Sequence, residues 1–208
     1  MELGVRDRVA LVCGGSRGIG FATAEELVRE GARVVLCARD AAALAAAEES
    51  LTSVGGVAAT IVADIATAEG IAQVVRTMQE RFDGRVDILI TNTGGPSPGP
   101  ATQHSWEDWE KATALLLRSA VEMCRAFVPG MRARRWGRVI GITSMAVKRP
   151  ITNLALSNSL RAAVTGYFRS LADEIAADGV TVNTVLPGYT ETDRLKQLAD
   201  ETGKRTGG

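Results

Sequence analysis

Hydrophobic residues are concentrated in six short runs, separated by longer stretches in which apolar and polar positions follow a helical period. The short runs are nearly continuous rather than alternating, as expected for strands of a parallel sheet with both faces covered by helices. They predict strands at Val9–Cys13, Arg33–Cys37, Val57–Ala63, Val86–Thr91, Arg138–Thr143 and Val180–Leu186. The stretches between them predict helices at Ile19–Glu30, Ala41–Val54, Glu69–Phe82, Trp106–Arg134 and roughly Asn153–Asp178. This alternation predicts an α/β fold with a doubly wound, Rossmann-type parallel sheet.

The ends of the predicted elements indicate how the chain is organised. Four glycines follow predicted helices, where a left-handed cap favours glycine: Gly31, Gly84, Gly137 and Gly179. With no repeat and no long linker, we expect a single domain over residues 1–208. After Thr192 a helix begins and gives way to a polar, glycine-rich tail. We therefore expect either a cut sequence or a fold without its last strand and helix.

Charge and composition exclude several classes of protein. Twenty-four basic residues balance twenty-four acidic ones, so no net field favours nucleic acid or an anionic membrane as a partner. No apolar run approaches the ~20 residues that span a bilayer. The three cysteines are scattered and form no C-x-x-C pair, which favours a cytoplasmic location. His104 is the only histidine, so we expect neither a histidine-based metal site nor a serine–histidine triad.

The first strand leads directly into the sequence C-G-G-S-R-G-I-G, residues Cys13–Gly20. Glycines at these spacings allow a tight turn, bring the backbone close to a diphosphate and let the next helix pack on the sheet. The free N–H groups at a helix N-terminus also favour phosphate. The motif predicts dinucleotide binding by this loop, through Gly14, Ser16, Arg17, Gly18, Ile19 and Gly20. The alternative is a strand–helix turn that is merely tight.

The end of the second strand bears on the choice of dinucleotide. An acidic residue there typically binds the ribose 2′-hydroxyl of NAD, but this chain has Ala38, followed by Arg39. Arg17 supplies a second guanidinium group nearby, and two such groups suit a 2′-phosphate. We therefore expect NADP(H) to be preferred over NAD(H). Two alternatives stay open: both arginines are solvated surface residues, or Asp40 binds a ribose hydroxyl and favours NAD(H).

The order of four motifs resembles the short-chain dehydrogenase/reductase family over residues 8 to about 195, and most of all its 3-oxoacyl-acyl-carrier-protein reductase branch. The motifs are G-x-x-x-G-I-G, A-D-I at Ala63–Ile65, N-T-G at Asn92–Gly94 and P-G-x-x-x-T within Leu186–Thr192. The resemblance implies that Asp64 and Ile65 border the adenine and that Asn92 and Gly94 line the cofactor cleft. It also implies that three later residues hold the nicotinamide: Pro187, Gly188 and Thr192.

The catalytic positions of that family are only partly retained. The family uses a serine after the fifth strand, and Ser144 occupies that place. The tyrosine and lysine of its Y-x-x-x-K motif fall on Ser157 and Arg161, and its asparagine falls on Leu116 or Leu117. Cys13 also stands where threonine is usual. The chain therefore resembles a divergent subgroup that keeps the cofactor motifs and lacks the usual acid–base set.

Three hypotheses follow for the chemistry. In the first, an NADP(H)-dependent oxidoreductase reduces a ketone or 3-oxoacyl group: Ser144 and Ser157 orient the carbonyl, Arg161 stabilises the oxyanion and binds ribose hydroxyls, and water supplies the proton. In the second, Tyr189 or Lys148 replaces the tyrosine as the acid, whereas Tyr167 fits a core position. In the third, the protein binds a dinucleotide without rapid reduction, as a sensor or partner subunit.

Weaker signals concern partners. The basic segment Met131–Arg138 either complements a helix C-terminus or docks an acidic partner such as acyl carrier protein, which would deliver a carrier-linked substrate. The proline-rich segment Gly94–Pro100 forms either a rigid connector or a wall of the substrate site. The long helices predict a homodimer or homotetramer, since they form subunit contacts in the family that the chain resembles.

Overall fold

Six strands form one parallel sheet in the computed structural model, which describes residues 3–53, 58–192 and 195. The strands are β1 (Val9–Cys13), β2 (Arg33–Ala38), β3 (Ala58–Val62), β4 (Ile88–Thr91), β5 (Gly137–Ile142) and β6 (Val180–Val185). Their order across the sheet is β3-β2-β1-β4-β5-β6, and every neighbouring pair is parallel. The order reverses between β1 and β4, which is where ligands bind in open α/β sheets. The predicted doubly wound, Rossmann-type fold is confirmed.

Six α-helices connect the strands: α1 (Gly18–Arg29), α2 (Ala41–Ser53), α3 (Ala68–Phe82), α4 (Trp106–Thr113), α5 (Ser119–Ala133) and α6 (Ala155–Ile175). A π-helical segment, Ala114–Arg118, joins α4 to α5. The predicted helix Trp106–Arg134 is therefore confirmed to within one residue, and it contains a π-helical segment. A π turn disturbs the regular i→i−4 ladder, and here the Ser119 hydroxyl donates a 2.6 Å hydrogen bond to the carbonyl of Leu115. No pattern in the sequence predicted this π-helical segment.

The core lies in two layers, one on each face of the sheet, because successive strand residues point to opposite faces. On one face, α1 and α2 pack against Val12, Leu36 and Ile90. On the other face, α3, α5 and α6 pack against residues that include Leu11 and Leu89. All residues of β1 and β4 are buried, as the continuous apolar runs predicted.

The expectation that both faces of every strand are covered is wrong for β5 and β6. Their residues alternate between more and less buried positions. Ile140 and Ile142 of β5 are only partly buried, and Val185 of β6 is 47% exposed. The helices on this face, α1 and α2, pack beside β1 and β2. Strands β5 and β6 lie at the opposite end of the sheet, and among the described residues no helix covers this face there.

The predicted glycine caps are confirmed at three positions and wrong at the fourth. Gly31, Gly84 and Gly179 have φ angles of 82°, 68° and 75°. Gly137 instead begins β5, and Arg135 takes the left-handed conformation with φ 52°. The reason for glycine at position 137 is packing, because a Cβ atom there would lie 2.6 Å from the Met131 side chain.

The remaining predicted boundaries differ from the observed ones by at most three residues. Asn153 has φ 59°, so it cannot start a helix, and α6 begins at Ala155. The predicted ends Val54 and Val57 lie outside the described residues. Apart from Leu195, so does the predicted helix after Thr192.

The arginines of the basic segment Met131–Arg138 form intramolecular contacts around the amino-terminal edge of the sheet. Asp87 precedes β4 and is fully buried, and its Oδ1 lies 3.4 Å from Nε of Arg134. Arg132 pairs with Asp178 at 2.6 Å, and Arg135 donates to the carbonyl of Ala177. This edge is opposite the carboxyl ends of the strands, so the structure favours the stabilising interpretation of this segment over docking beside the site.

Candidate functional site

The residues predicted to bind the cofactor come together at the carboxyl edge of the sheet. They lie on the segments that follow β1, β2, β3, β4, β5 and β6. Because parallel strands end at the same edge, side chains far apart in sequence meet there. The topology therefore creates the site, and the local sequence decides what each segment contributes.

The loop from β1 to α1 is a cradle that only glycine permits. Gly14 and Gly18 have φ angles of 60° and 58°. At Gly20, a Cβ atom would lie 2.2 Å from the carbonyl oxygen of Gly14. Asn92, just after β4, donates from Nδ2 to that same oxygen at 3.3 Å. The predicted positions Gly14, Gly20 and Asn92 thus form one contact set, which fixes the path of the loop.

The N-terminus of α1 suits an anion. Arg17 precedes the helix in an extended conformation, and its side chain makes no capping hydrogen bond. The Arg17 side chain therefore leaves the amide N–H groups of the first turn, which includes Ile19, uncapped, and the helix dipole adds a positive field. Ser16 lies in the turn between Gly14 and Arg17 and is partly buried. Loop and helix together fit the diphosphate of a dinucleotide.

Four charged residues follow at the mouth of this loop: Arg17, Arg39, Asp40 and Asp64, called the charge cluster below. Nη2 of Arg17 lies 2.7 Å from Oδ2 of Asp40, and Nη1 of Arg39 lies 3.7 Å from Oδ2 of Asp64. Asp40 also caps α2 by accepting from the amide of Ala43 at 3.0 Å. The Ala43 amide first, and the charge of Arg17 next, lower the pKa of Asp40 below its ordinary value.

Asp64 and Ile65, predicted beside the adenine, have different surroundings. Asp64 accepts from the Ala66 amide at 3.0 Å, and its side chain is partly exposed near Arg39. The Ile65 side chain is buried in the core. The structure thus turns the carboxylate of Asp64, but not the side chain of Ile65, toward the surface that a nucleotide would use.

Arg161 on α6 binds backbone carbonyl groups from two strand ends. Its Nη1 donates to the carbonyl of Ile142 at 3.0 Å and to that of Thr143 at 3.2 Å, at the end of β5. Nη2 lies 3.5 Å from the carbonyl of Gly94, after β4. The guanidinium group therefore links the ends of β4 and β5 and acts as a brace between them. An ammonium group could not contact the same carbonyls at once, because it lacks the planar arrangement of several N–H donors.

The two serines lie on the two elements that Arg161 connects, Ser157 on α6 and Ser144 just after β5. Ser157 is one turn before Arg161, and its Oγ accepts from Nε of Arg161 at 3.2 Å. Ser144 begins the short 3-10 helix Met145–Val147, and its Oγ accepts from the Ala146 amide at 3.1 Å. Each oxygen is thus an acceptor in these contacts, so each hydroxyl hydrogen can be donated to a ligand. At Gly94 a Cβ atom would meet nothing within 4 Å, so this part of the cleft is open.

The segment after β6 closes the cleft on its remaining side. The carbonyl of Pro187 accepts from the amide of Met145 at 3.0 Å. Gly188 also lies beside Met145, and Thr192 lies beside Gly18, its Cγ2 3.4 Å from where a Cβ atom of that glycine would stand. The predicted residues Pro187, Gly188 and Thr192 therefore connect the serine side of the cleft with the glycine loop.

Behind Arg161 the structure has a cavity of about 20 Å³, enough for one water molecule. Its polar lining includes Thr91, Ser119 and Thr143. Leu116, one of the two residues matched to the family's asparagine, also lines it and is 4% exposed. Leu117, the other, packs against the core. Neither leucine can relay a proton.

The alternative acids proposed from the sequence lie in unlike environments. The Tyr189 side chain is 75% exposed, and Lys148 is exposed. Tyr167 packs against the core, as predicted, and burial raises its pKa above the ordinary value for tyrosine. Tyr167 is therefore a poor proton donor near neutral pH.

No motif in the sequence indicated Asn158, which fixes the segment before α6 through the backbone of Ile151. Its Nδ2 donates to the carbonyl of Ile151 at 2.9 Å, and its Oδ1 accepts from the amide of the same residue at 3.3 Å. Its position next to Ser157 was the one signal in the sequence, and that position alone does not predict a role.

Within the described ranges, no group of three or more His, Cys, Asp or Glu side chains could hold a metal ion. No helix there is long and apolar enough to cross a membrane.

A parallel Rossmann-type sheet with a glycine cradle and polar side chains at its carboxyl edge is typical of nicotinamide-dependent oxidoreductases. A family model of the short chain dehydrogenases matches residues 8–203, and the chain belongs to that family. It is 34% identical over 199 residues to the 3-oxoacyl-(acyl-carrier-protein) reductase of Vibrio cholerae. This alignment covers 96% of this chain and 80% of that protein.

Solved structures show the same similarity. The L-sorbose reductase of Gluconobacter frateurii, complexed with NADPH and L-sorbose, superposes with a TM-score of 0.92 at 35% identity, over 98% of this chain and 78% of that one. A 3-oxoacyl (acyl-carrier-protein) reductase of Agrobacterium tumefaciens with NADP bound gives a TM-score of 0.88 at 32% identity, over 96% of this chain and 77% of that one.

Proposed function

We propose that this protein is an NADP(H)-dependent reductase of a ketone or 3-oxoacyl group that works with an altered catalytic set. The observation that carries the proposal is the contact between Ser157 and Arg161, at the same sheet edge as the glycine cradle. Ser157 Oγ accepts in this contact, so its hydrogen can be donated to a ligand, and a Cβ atom at nearby Gly94 would meet nothing within 4 Å. The nicotinamide supplies the hydride when it is bound.

The cofactor roles follow from the contacts. Gly14, Gly20 and the amides of the first turn of α1 receive the diphosphate, and Arg17 and Arg39 receive the 2′-phosphate. Asn92, Gly94 and the Pro187–Thr192 segment enclose the nicotinamide end. The NADP(H) found in similar structures supports this choice.

The substrate roles follow from the serines. Ser144 and Ser157 donate hydrogen bonds to the carbonyl oxygen and hold it against the nicotinamide site. Arg161 stabilises the negative charge that develops on this oxygen, largely through its bond to Ser157, because its Nη1 is engaged with two carbonyl groups. Arginine does not release a proton near neutrality, and serine is a far weaker acid than tyrosine. The proton therefore comes from water.

We propose that the substrate is a small carbonyl compound or an acyl-carrier-linked thioester, and that the protein is a cytoplasmic homodimer or homotetramer. The relationship to 3-oxoacyl-(acyl-carrier-protein) reductases supports the substrate class. The three unpaired, buried cysteines fit a reducing compartment. Light scattering of the purified protein measures the oligomer, and a monomeric mass would contradict that part of the proposal.

One observation favours a second candidate, a protein that binds the dinucleotide without rapid reduction. The guanidinium of Arg161 is engaged with backbone carbonyls, and Leu116, one of the two residues matched to the family's asparagine, is a buried leucine that cannot relay a proton. Such a protein would act as a sensor or as a partner subunit.

Purified protein distinguishes the two candidates. We expect tight binding of NADPH by calorimetry and slow oxidation of NADPH in the presence of 3-oxoacyl thioesters. Binding without oxidation by any of several thioesters and ketones would support the second candidate. The double variant Ser157→Tyr/Arg161→Lys restores the family's acid pair, and we expect it to raise the rate. No heat of association with NADPH or NADH at millimolar ligand would contradict both candidates.

A further inference from the structure

Two arginines and two carboxylates at the mouth of the glycine loop form an electrically balanced group. In the charge cluster, Arg17 is paired with Asp40 and Arg39 is paired with Asp64. An incoming phosphate therefore meets two cations and two anions, and not a purely positive patch. Affinity for the phosphate depends on how easily each arginine leaves its carboxylate.

The two pairs differ in strength. The Arg17–Asp40 pair is a hydrogen-bonded salt bridge at 2.7 Å, whereas Arg39 and Asp64 are 3.7 Å apart, beyond hydrogen-bond distance. Asp40 is also fixed in place, because its other carboxylate oxygen caps α2 through the amide of Ala43. Arg39 can therefore turn to a phosphate with little loss, whereas Arg17 must first give up a hydrogen-bonded ion pair.

We infer that Asp40 sets the choice between NADP(H) and NAD(H), by competing with the 2′-phosphate for Arg17. This inference rests on the proposed NADP(H) site, and it adds Asp40 as a residue that weakens binding of the 2′-phosphate there. Arg39 is then the main phosphate ligand, and Arg17 contributes only what Asp40 releases. The same carboxylate accepts a hydrogen bond from a ribose 2′-hydroxyl, so it favours NAD(H) while it disfavours NADP(H).

The decisive variant is Asp40→Asn. Asparagine has the same shape and can still accept from the Ala43 amide, so the cap of α2 is kept while the charge is removed. Repulsion between a carboxylate and a phosphate dianion a few ångströms apart in water is worth about a factor of ten in affinity. We expect NADPH to bind about tenfold more tightly and NADH to bind equally or up to about threefold more weakly.

Substitutions of the two arginines test the competition between Asp40 and the phosphate for Arg17. In the wild type, Arg17→Gln is expected to weaken NADPH binding by about threefold or less, because Arg17 is held by Asp40. In the Asp40→Asn background, the same change is expected to cost about tenfold. Arg39→Gln is expected to cost the same factor in both backgrounds, since the guanidinium of Arg39 is paired with Asp64 whereas Asp40 is paired with Arg17.

The matched control is Glu122→Gln, which removes a carboxylate from a similar exposed pair with Arg125, at 2.9 Å on α5. It should leave both affinities unchanged. All dissociation constants are measured by calorimetry on the full chain, with thermal melting to show that each variant is folded. Unchanged or weaker NADPH binding by Asp40→Asn, with wild-type binding intact, overturns this inference alone. If the wild type binds neither nucleotide, the proposed function fails and this inference falls with it.

Discussion

Nε of Arg161 lies 3.2 Å from Oγ of Ser157, one helical turn earlier on α6, while Nη1 of the same guanidinium lies 3.0 Å from the carbonyl of Ile142. Arginine thus joins Ser157 on α6 to the end of β5. A lysine could make only part of these contacts at once, because its ammonium is a single point on a flexible stem. The replacement of the family's lysine therefore adds a structural role to this position.

Arg161→Met tests that structural role. The substitution keeps most of the side-chain length and leaves the carbonyls of Ile142 and Thr143 without this donor. Because partly buried carbonyls lose their hydrogen bonds, we expect the free energy of unfolding to fall by about 2 kcal/mol. Urea denaturation measures it. Arg125→Met removes a guanidinium from an exposed pair and should change stability by less than about 0.5 kcal/mol. Equal decreases in the free energy of unfolding of Arg161→Met and Arg125→Met would contradict the structural role of Arg161.

Gly20→Ala tests the cradle. The new Cβ atom would lie 2.2 Å from the Gly14 carbonyl oxygen, so the loop must move away from the geometry that receives a diphosphate. We expect NADPH affinity to fall at least about a hundredfold, measured by nucleotide fluorescence, because a misplaced loop loses several phosphate contacts at once.

Gly166→Ala is the matched glycine change on α6, where a Cβ atom would meet nothing within 4 Å. Alanine favours helix over glycine by about 1 kcal/mol, so this variant should be slightly more stable and bind NADPH normally. Normal binding by Gly20→Ala would show that the loop does not hold the nucleotide in the proposed way.

Tyr189→Phe distinguishes water from a side chain as the proton source. The Tyr189 side chain is 75% exposed, and we expect its hydroxyl to be dispensable, with the reduction rate changed by less than about twofold. A working general acid contributes about a hundredfold or more. A loss of that size, with unchanged NADPH affinity and the same fold by circular dichroism, would identify Tyr189 as the acid and reject water.

The buried thiols predict a loss of stability at alkaline pH. Burial, with a smaller contribution from the charge of Asp64, raises the pKa of Cys37 to about 12, and burial raises the pKa of Cys124 to about 12. Unfolded thiols ionise near 9, so the stabilisation is complete below pH 9 and is lost as the pH rises from 9 to 12.

The free energy of unfolding, measured by urea denaturation between pH 8 and pH 11, should therefore decrease by on the order of 1 kcal/mol per thiol between pH 9 and 10. The decrease should be shallower in Cys124→Ala. Native protein at pH 8 should react slowly with a thiol reagent at all three cysteines, and fast native labelling would contradict their burial.

The regularities of the sequence determined most of the fold. Continuous apolar runs located the strands because buried parallel strands need apolar residues on both faces, and the β1 boundaries Val9–Cys13 were predicted without error. The glycine loop was recognisable because its shape excludes side chains, which is a local requirement. Errors came where a distant contact decides the conformation. The glycine at position 137 is required by Met131 and not by a helix cap, and Arg135 takes the left-handed turn instead.

The sequence by itself, through its resemblance to the family, also predicted which residues stand where the family has its catalytic serine, tyrosine and lysine: Ser144, Ser157 and Arg161. Only the tertiary structure decided what those residues touch. It places Arg161 on the carbonyls of Ile142 and Thr143 and Arg17 on Asp40, and these contacts join segments 18 to 23 residues apart in the chain. Hydrogen bonds and ion pairs of this kind depend on distances of a few tenths of an ångström. Sheet topology and helix packing set these distances, and no local pattern of residues encodes them.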